Sequence, residues 1–307
     1  MNLREYQTYN RQFSEEYIYR LGGNTGFFSE YNNMIITMLY CIIHKKCFIL
    51  QSKKANFSSG QGWSEYFLPF IDEIYDSQLN RYNKRKKTLY KNKLQRIIFN
   101  LYKLVHPKRH YTYNFFETVR KMPTDLIYDV PELNLKGNLQ ECCSSIHKMI
   151  WRYNKSTQSK IDGLIADLNL PKEYLAIHVR CGDKITETNL YDPEEYFDKA
   201  SIHSKIKNVF VLTDDYRVIK ELSSKHPDYQ FYTLCQEDEV GYNLEKLLSQ
   251  TRKEQELAML RLWASMDIME NAIIFVGTFN ANPGMNMGFR LPNHKLIGLD
   301  NEHWYLW

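Results

Sequence analysis

The run His178-Val179-Arg180-Cys181-Gly182-Asp183-Lys184 sets an arginine, an aspartate and a lysine close behind an apolar stretch, and Glu187 follows. An arginine held at a strand end can fork two donors onto a pair of phosphate oxygens, and its charge does not titrate away. Arg180 is therefore a candidate diphosphate ligand. Lys184, a little further along the loop, is a cation suited to neutralising charge that grows on a leaving group. Two more polar runs share this setting, Thr213-Asp214-Asp215 and Thr278-Phe279-Asn280-Ala281-Asn282-Pro283-Gly284. The second has the form of a loop entering a helix, where backbone N–H groups complete an anion cradle. Duller roles stand beside these: Arg180 paired with Asp183 to fix the loop, and Asp214 with Asp215 capping a helix that starts near Arg217.

These runs owe their interest to what precedes them. Apolar segments at Tyr174–Val179, Asn208–Thr213, Tyr229–Leu234 and Ala272–Thr278 read as strands, with helical stretches at Pro193–Ile202, Arg217–Lys225 and Arg252–Met269 between them. Strands alternating with helices imply right-handed parallel crossovers and a doubly wound, mostly parallel sheet. Ligands of such sheets bind beyond the carboxyl ends of the strands, which is where the three polar runs fall. The residues alone thus predict a nucleotide- or phosphate-binding enzyme.

The N-terminal half reads differently. Gly22-Gly23-Asn24-Thr25-Gly26 precedes an apolar helix containing Met34, Ile35, Met38, Leu39 and Ile42, and Lys46–Leu50 reads as a buried strand. Glycines ahead of a helix let backbone approach a ligand and leave N–H groups for its oxygens, with Gly23 the candidate contact; an ordinary turn is the alternative. Asn56-Phe57-Ser58-Ser59-Gly60-Gln61-Gly62-Trp63 is a turn-rich loop whose aromatics suit either stacking on a base or sugar, or packing. From Arg81 to His110, Lys and Arg alternate with Leu94, Ile97, Ile98, Leu101 and Leu104 at helical spacing, giving one apolar and one basic face. A solvated helix is the plain reading; an acidic acceptor, a membrane surface or nucleic acid are the others.

With 307 residues, 43% of them hydrophobic, the chain has material for two cores, and the boundary is expected near residue 168. The lobes are then 1–167, with a basic helical insertion at about 75–140, and 168–307. A formal charge of +4 argues for no nucleic-acid partner. Six cysteines with no Cys-x-x-Cys spacing argue against a structural metal or a disulfide framework. The polar N-terminus and the lack of any long apolar run predict no signal peptide and no membrane span, hence a cytoplasmic protein.

Ile177-His178-Val179-Arg180-x-Gly182-Asp183-Lys184, with Glu187 and Asp192-Pro193-Glu194-Glu195-Tyr196 behind it, resembles the donor-site signature of the α-1,6-fucosyltransferases, the N-glycan core and nodulation enzymes. Thr213-Asp214-Asp215 with His226-Pro227-Asp228-Tyr229, and Val276-Gly277-Thr278-Phe279-Asn280-Ala281-Asn282, are similar to later parts of that family. The glycine and Phe57–Trp63 segments sit in family order. The resemblance implies a GT-B-like α/β fold with two Rossmann-like lobes, and metal-independent, inverting transfer of L-fucose from GDP-fucose to a glycan, with no cofactor. It implies Arg180 on the β-phosphate, His178 and Phe57 near the nucleoside, Ala281 and its neighbours facing the phosphates, and Glu187 as general base beside Lys184 in a catalytic loop that includes Asp183.

The chain departs from the family at three points. Cys181 stands where a second arginine is common, and the Lys184 to Glu187 spacing is one residue short, which brings in Thr188. The family's guanine-reading aspartate falls on Ser265, with Asp267 two residues on and roughly 200° away around a helix. The same fold with another nucleotide sugar, an inactive glycan-binding relative, and a nucleic-acid binder acting through the Arg81–His110 helix are the competing expectations.

Overall fold

Helix α1 (Leu3–Asn10), capped by the Asn2 side chain, leads into strand β1 (Glu16–Arg20), whose Tyr17, Ile18 and Tyr19 are all buried. Gly26 opens helix α2 (Phe27–Ile43), which is buried on nearly every side, as its apolar sequence dictates. Strand β2 (Cys47–Gln51) then pairs parallel to one edge of β1. The other edge of β1 takes β3 (Arg109–Tyr111), also parallel, which follows helix α3 (Lys93–Val105). Neither β1 nor β3 was legible as a strand, and the basic stretch expected to run on to His110 as helix ends at Val105. Helix α4 (Thr112–Val119), the antiparallel pair β4 (Tyr128–Val130) and β5 (Leu135–Gly137), and helix α5 (Leu139–Ile150) complete this part. The computed structural model describes residues 1–23, 25–75, 83, 93–181, 191–241 and 249–307.

The chain forms two compact units, Met1–Asn154 and Lys155–Trp307. Their division precedes the expected position near residue 168, because helix α6 (Lys155–Asp167) packs on the long helix of the second unit, tied to it by the Lys160–Glu256 ion pair. The strand expected at Tyr174–Val179 is the first strand of that unit and follows its boundary.

In the second unit β6 (Leu175–Val179) is buried at every residue, the signature of a parallel strand covered on both faces. Helix α7 (Pro193–His203) starts at the Asp192 cap with Pro193 in its first turn and Glu195 closing a capping box. Then come β7 (Asn208–Thr213), α8 (Arg217–Lys225), β8 (Gln230–Tyr232) and α9 (Arg252–Glu270), the last capped by Thr251 and Glu254. Strand β9 (Phe275–Gly277), α10 (Asn282–Arg290) and β10 (Leu296–Gly298) close the unit. The sheet order is β10-β9-β6-β7-β8, and every neighbouring pair is parallel. Winding proceeds outward from β6 through β7 and β8 on one side, and through β9 and β10 on the other. The order therefore reverses between β6 and β9, and the crevice of a doubly wound sheet opens at the carboxyl ends of those two strands.

Candidate functional site

That switch point brings together the loops that follow β6, β7 and β9. Register matches Val179 with Thr213 and Ile177 with Val276, so Arg180, Asp214 and Thr278 leave adjacent strands on the same edge. Leu175, Ile177 and Val179 pack in the apolar cluster with Tyr196, Phe197 and Val218. By strand alternation His178 points to the opposite face.

His178 is 6% exposed, and its Nδ1 has no hydrogen-bond partner among the described residues. Burial first, and then the Arg180 charge, pull its pKa down to about 3 from an ordinary 6.5. The folded protein therefore holds it neutral at physiological pH, while the unfolded chain protonates near 6.5. Its contribution to stability is fully present above that value and is lost as pH falls toward 3. At about pH 5 the loss is expected to be roughly 2 kcal/mol. Urea unfolding of His178→Asn, which cannot titrate, should show a shallower decline between pH 7 and 5 than the wild type; parallel declines would assign the acid sensitivity elsewhere.

The loop after β6 is anchored from β7. The Cys181 N–H donates to the Asp214 carboxylate at 2.9 Å. Burial, reinforced by the Asp214 and Asp215 charges, pushes the Cys181 thiol up to about 11, so a neutral group stands at that position. Asp215 is buried and serves the next helix. It accepts from the Arg217 N–H at 3.0 Å and from the Arg217 guanidinium at 2.9 Å, and that partner holds its carboxyl below the usual range. The capping role is thus what Asp215 performs, and Asp214 is a loop anchor. Asp183, Lys184 and Glu187 lie outside the described residues.

On the other side of the crevice, Thr278 is buried and its side chain shares a hydrogen bond with Tyr196. Phe279 and Asn280 donate their N–H groups to the Asp300 carboxylate at 2.9 and 2.8 Å, and the Tyr305 hydroxyl donates to it at 3.0 Å. Ala281 is the N-cap residue of α10, with Asn282 and Pro283 in its first turn. Gly284 is obligatory here: a Cβ would stand 2.0 Å from the Thr278 carbonyl oxygen, so only glycine lets α10 close on the end of β9. The result is a helix N-terminus fixed beside Arg180's strand, with the Phe279 and Asn280 N–H groups of the expected cradle taken by Asp300, so that the helix dipole is what remains to favour an anion. Asp300 was missed in the sequence. It sits two residues beyond β10, and the strand-end rule would have found it had that three-residue strand been legible.

Ser265 and Asp267 both lie on α9. Ser265 is buried, and its hydroxyl donates to the Arg261 carbonyl one turn back at 2.7 Å. Asp267 accepts from the fully buried Arg290 guanidinium at 2.9 Å, and Arg290 also donates to Glu270 at 2.7 Å and to Asn286 at 2.9 Å.

Two expectations in the first unit are corrected. The Gly23 N–H does not stand open for a ligand. It donates to the buried Glu30 carboxylate at 2.8 Å, and Thr25 donates to the same group through its N–H and its hydroxyl, both at 3.1 Å. A carboxylate from the first turn of α2 thus occupies the cradle that the glycines create. Phe57, offered as a stacking platform, is buried edge-on against Phe27 with centroids 5.1 Å apart, and Trp63 is fully buried on Phe67. Both rings gain more from the aromatic core of this unit than an open loop would give them. Among the described residues, no three His, Cys, Asp or Glu side chains gather closely enough to hold a metal ion.

The sequence pattern described as α-(1,6)-fucosyltransferase N- and catalytic domains matches residues 18–241. The chain belongs to that family. Individual relatives are distant. The α-(1,6)-fucosyltransferase of Caenorhabditis elegans is 25% identical over 150 residues, and that of Drosophila melanogaster 22% over 238. These alignments take in 41% and 71% of this chain, which spans only 26% and 35% of the relatives' lengths. Among solved structures, NodZ α-1,6-fucosyltransferase soaked with GDP-fucose overlays 91% of this chain on 93% of its own with a TM-score of 0.55 at 15% identity. The same enzyme co-crystallised with GDP gives 0.51 at 13%. This chain thus has the α/β, GT-B-type fold of these fucosyltransferases. The family pattern covers Arg180 to Glu187 and Asp214; the β9–α10 loop lies beyond it and is joined to the site by the sheet order.

Proposed function

We propose that this chain moves L-fucose from GDP-fucose to a sugar hydroxyl of a glycan, with inversion at the sugar carbon and without a metal ion. The observation that carries this reading is the match of residues 18–241 to the family's N- and catalytic-domain pattern, a range that includes Arg180–Glu187. The sheet order supports it, because the second unit's crevice is where a doubly wound fold takes a nucleotide. In this reading the second unit binds the donor and the first serves the acceptor. Arg180 forks onto the β-phosphate, and the start of α10 at Asn280, Ala281 and Asn282 faces the same charge. His178, neutral and buried, borders the nucleoside pocket; Asp214 holds the Arg180–Cys181 turn. Lys184 meets charge developing on the departing GDP, and Glu187 takes the proton of the attacking hydroxyl.

A second reading, the same fold with a different nucleotide sugar, is favoured by Ser265. Where the family reads guanine with a carboxylate, this chain has a buried hydroxyl bonded to its own helix, and Asp267 is engaged by Arg290. Calorimetric titration of GDP, GDP-fucose, GDP-mannose and UDP-sugars with EDTA present separates the two. GDP compounds are expected to bind, and Arg180→Ala to weaken them at least about tenfold, the scale of one charge-assisted pair. Binding of a UDP-sugar alone would overturn the donor, and no nucleotide binding at all would overturn the transferase reading.

A further inference from the structure

Helix α3 exposes the larger of its two apolar faces. Toward the sheet it buries Phe99, 2% exposed, in a small cluster with Ile18 and Tyr111, with Tyr102 packed alongside. Outward it presents Leu94, Ile97, Ile98, Leu101, Leu104 and Val105, each between 40% and 75% exposed. At 100° per residue these six fall within about 120° of arc, a continuous stripe along the helix. A helix needed only to cover β3 would carry polar residues there, and six large aliphatic side chains in water are more than scattered surface apolarity accounts for.

The charge around the stripe identifies what covers it. Between Asp76 and Glu117 the sequence holds eleven Lys and Arg and no Asp or Glu, while the whole chain has 40 of the former and 36 of the latter. The rest of the sequence is thus net negative, and the excess positive charge falls in the stretch of sequence that contains this helix. Lys93 and Lys108 are exposed near its two ends, while Lys103 lies on the side away from the stripe and donates to the Tyr113 hydroxyl at 2.9 Å. A second copy of the chain would bring this positive segment against itself. A nucleic acid would use the charge but has no place for the leucines. An apolar stripe with an exposed lysine near each end, in a stretch of sequence rich in Lys and Arg, matches an anionic bilayer surface, where aliphatic side chains enter the acyl boundary and lysines meet the headgroups.

We propose that α3 is a membrane-interface helix that seats this protein on anionic phospholipid. It lies on the surface and does not span: its 13 residues reach about 20 Å, short of the roughly 30 Å hydrocarbon core. Among the described residues no helix is long and apolar enough to cross. For an enzyme acting on glycans the consequence is an encounter with lipid-linked or surface-bound acceptors in two dimensions.

The test is co-sedimentation of the whole protein with vesicles of phosphatidylcholine alone and with about one-third phosphatidylserine. Binding to the mixed vesicles and not to pure phosphatidylcholine is expected. Leu101→Asp and Leu104→Asp, at positions 57% and 75% exposed, should each weaken that binding at least about tenfold with the melting temperature little changed. The proposal is overturned if mixed vesicles do not retain the protein, or if both aspartate variants bind as the wild type does, which would leave a purely electrostatic patch. It is equally overturned if the wild type sediments as a dimer that Leu101→Asp dissociates. None of these readouts uses nucleotide, so failure here leaves the donor assignment standing.

Discussion

Glu187→Gln is expected to lower turnover by about 10²- to 10⁴-fold while leaving GDP affinity within about twofold. Inversion needs a proton acceptor on the face of the sugar opposite the leaving diphosphate, because a sugar hydroxyl is a weak nucleophile until its proton has somewhere to go. Glutamine keeps the size and polarity of the side chain and removes only that acceptor. The change therefore falls on chemistry and not on binding, which is the reverse of the pattern expected for Arg180→Ala. GDP release from GDP-fucose, followed with a panel of GlcNAc oligomers as acceptors, measures turnover. Unchanged turnover in Glu187→Gln would move the base elsewhere, and Asp183 is the nearest other carboxylate in the sequence.

How far the sequence discloses this site depends on how each element is stabilised. Strand β6 is buried at every residue and β7 at most of its residues, so they appear as apolar runs with polar residues where the chain emerges. Asn208–Thr213 is legible to the residue for that reason, and Arg217–Lys225 because Val218, Ile219 and Leu222 recur at helical spacing. Strand β3 escapes because three residues, Arg109 to Tyr111, are too few to break the period of the amphipathic stretch before them. Within the site, Arg180, Asp214 and Asn280 can be picked out as strand-end residues, yet the partners that fix them are tertiary facts. Nothing local in Asp300 says that it will receive the N–H groups of Phe279 and Asn280 across about twenty residues of chain. The glycine loop shows the opposite fault, since its partner was near at hand. An acidic residue in the first turn of a helix is a standing competitor for any anion at that helix's N-terminus, and Glu30 lies one turn inside α2. An open cradle was read where the chain supplies its own carboxylate.

The clamp between α9 and α10 is where a single change should cost most in stability. Arg290 has no exposed side-chain surface and divides its donors among Asp267, Glu270 and Asn286. Arg290→Met keeps much of the volume but leaves two carboxylates facing each other without a cation. Removing one member of a buried ion pair costs about 3–5 kcal/mol. Asp267 and Glu270 retain 20% and 32% of their side-chain exposure, so water relieves part of the repulsion and the lower end of that range is expected. For a unit of this size about 3 kcal/mol corresponds to a fall of about 6–12 °C in melting temperature. Arg290→Lys should lose less, since it keeps the charge and gives up only the fork. Adding Asp267→Asn to Arg290→Met should recover part of the loss, because the two positions act as one network. The same set of variants tests how base recognition is arranged. With Asp267 serving Arg290, Asp267→Asn is expected to weaken GDP only to the extent that it loosens α10, whose first turn is proposed to border the phosphates, and affinity should track melting temperature across the series. An Asp267→Asn protein that melts normally yet no longer distinguishes GDP from UDP would instead put that carboxylate on the base, and would require α9 to turn before the donor enters.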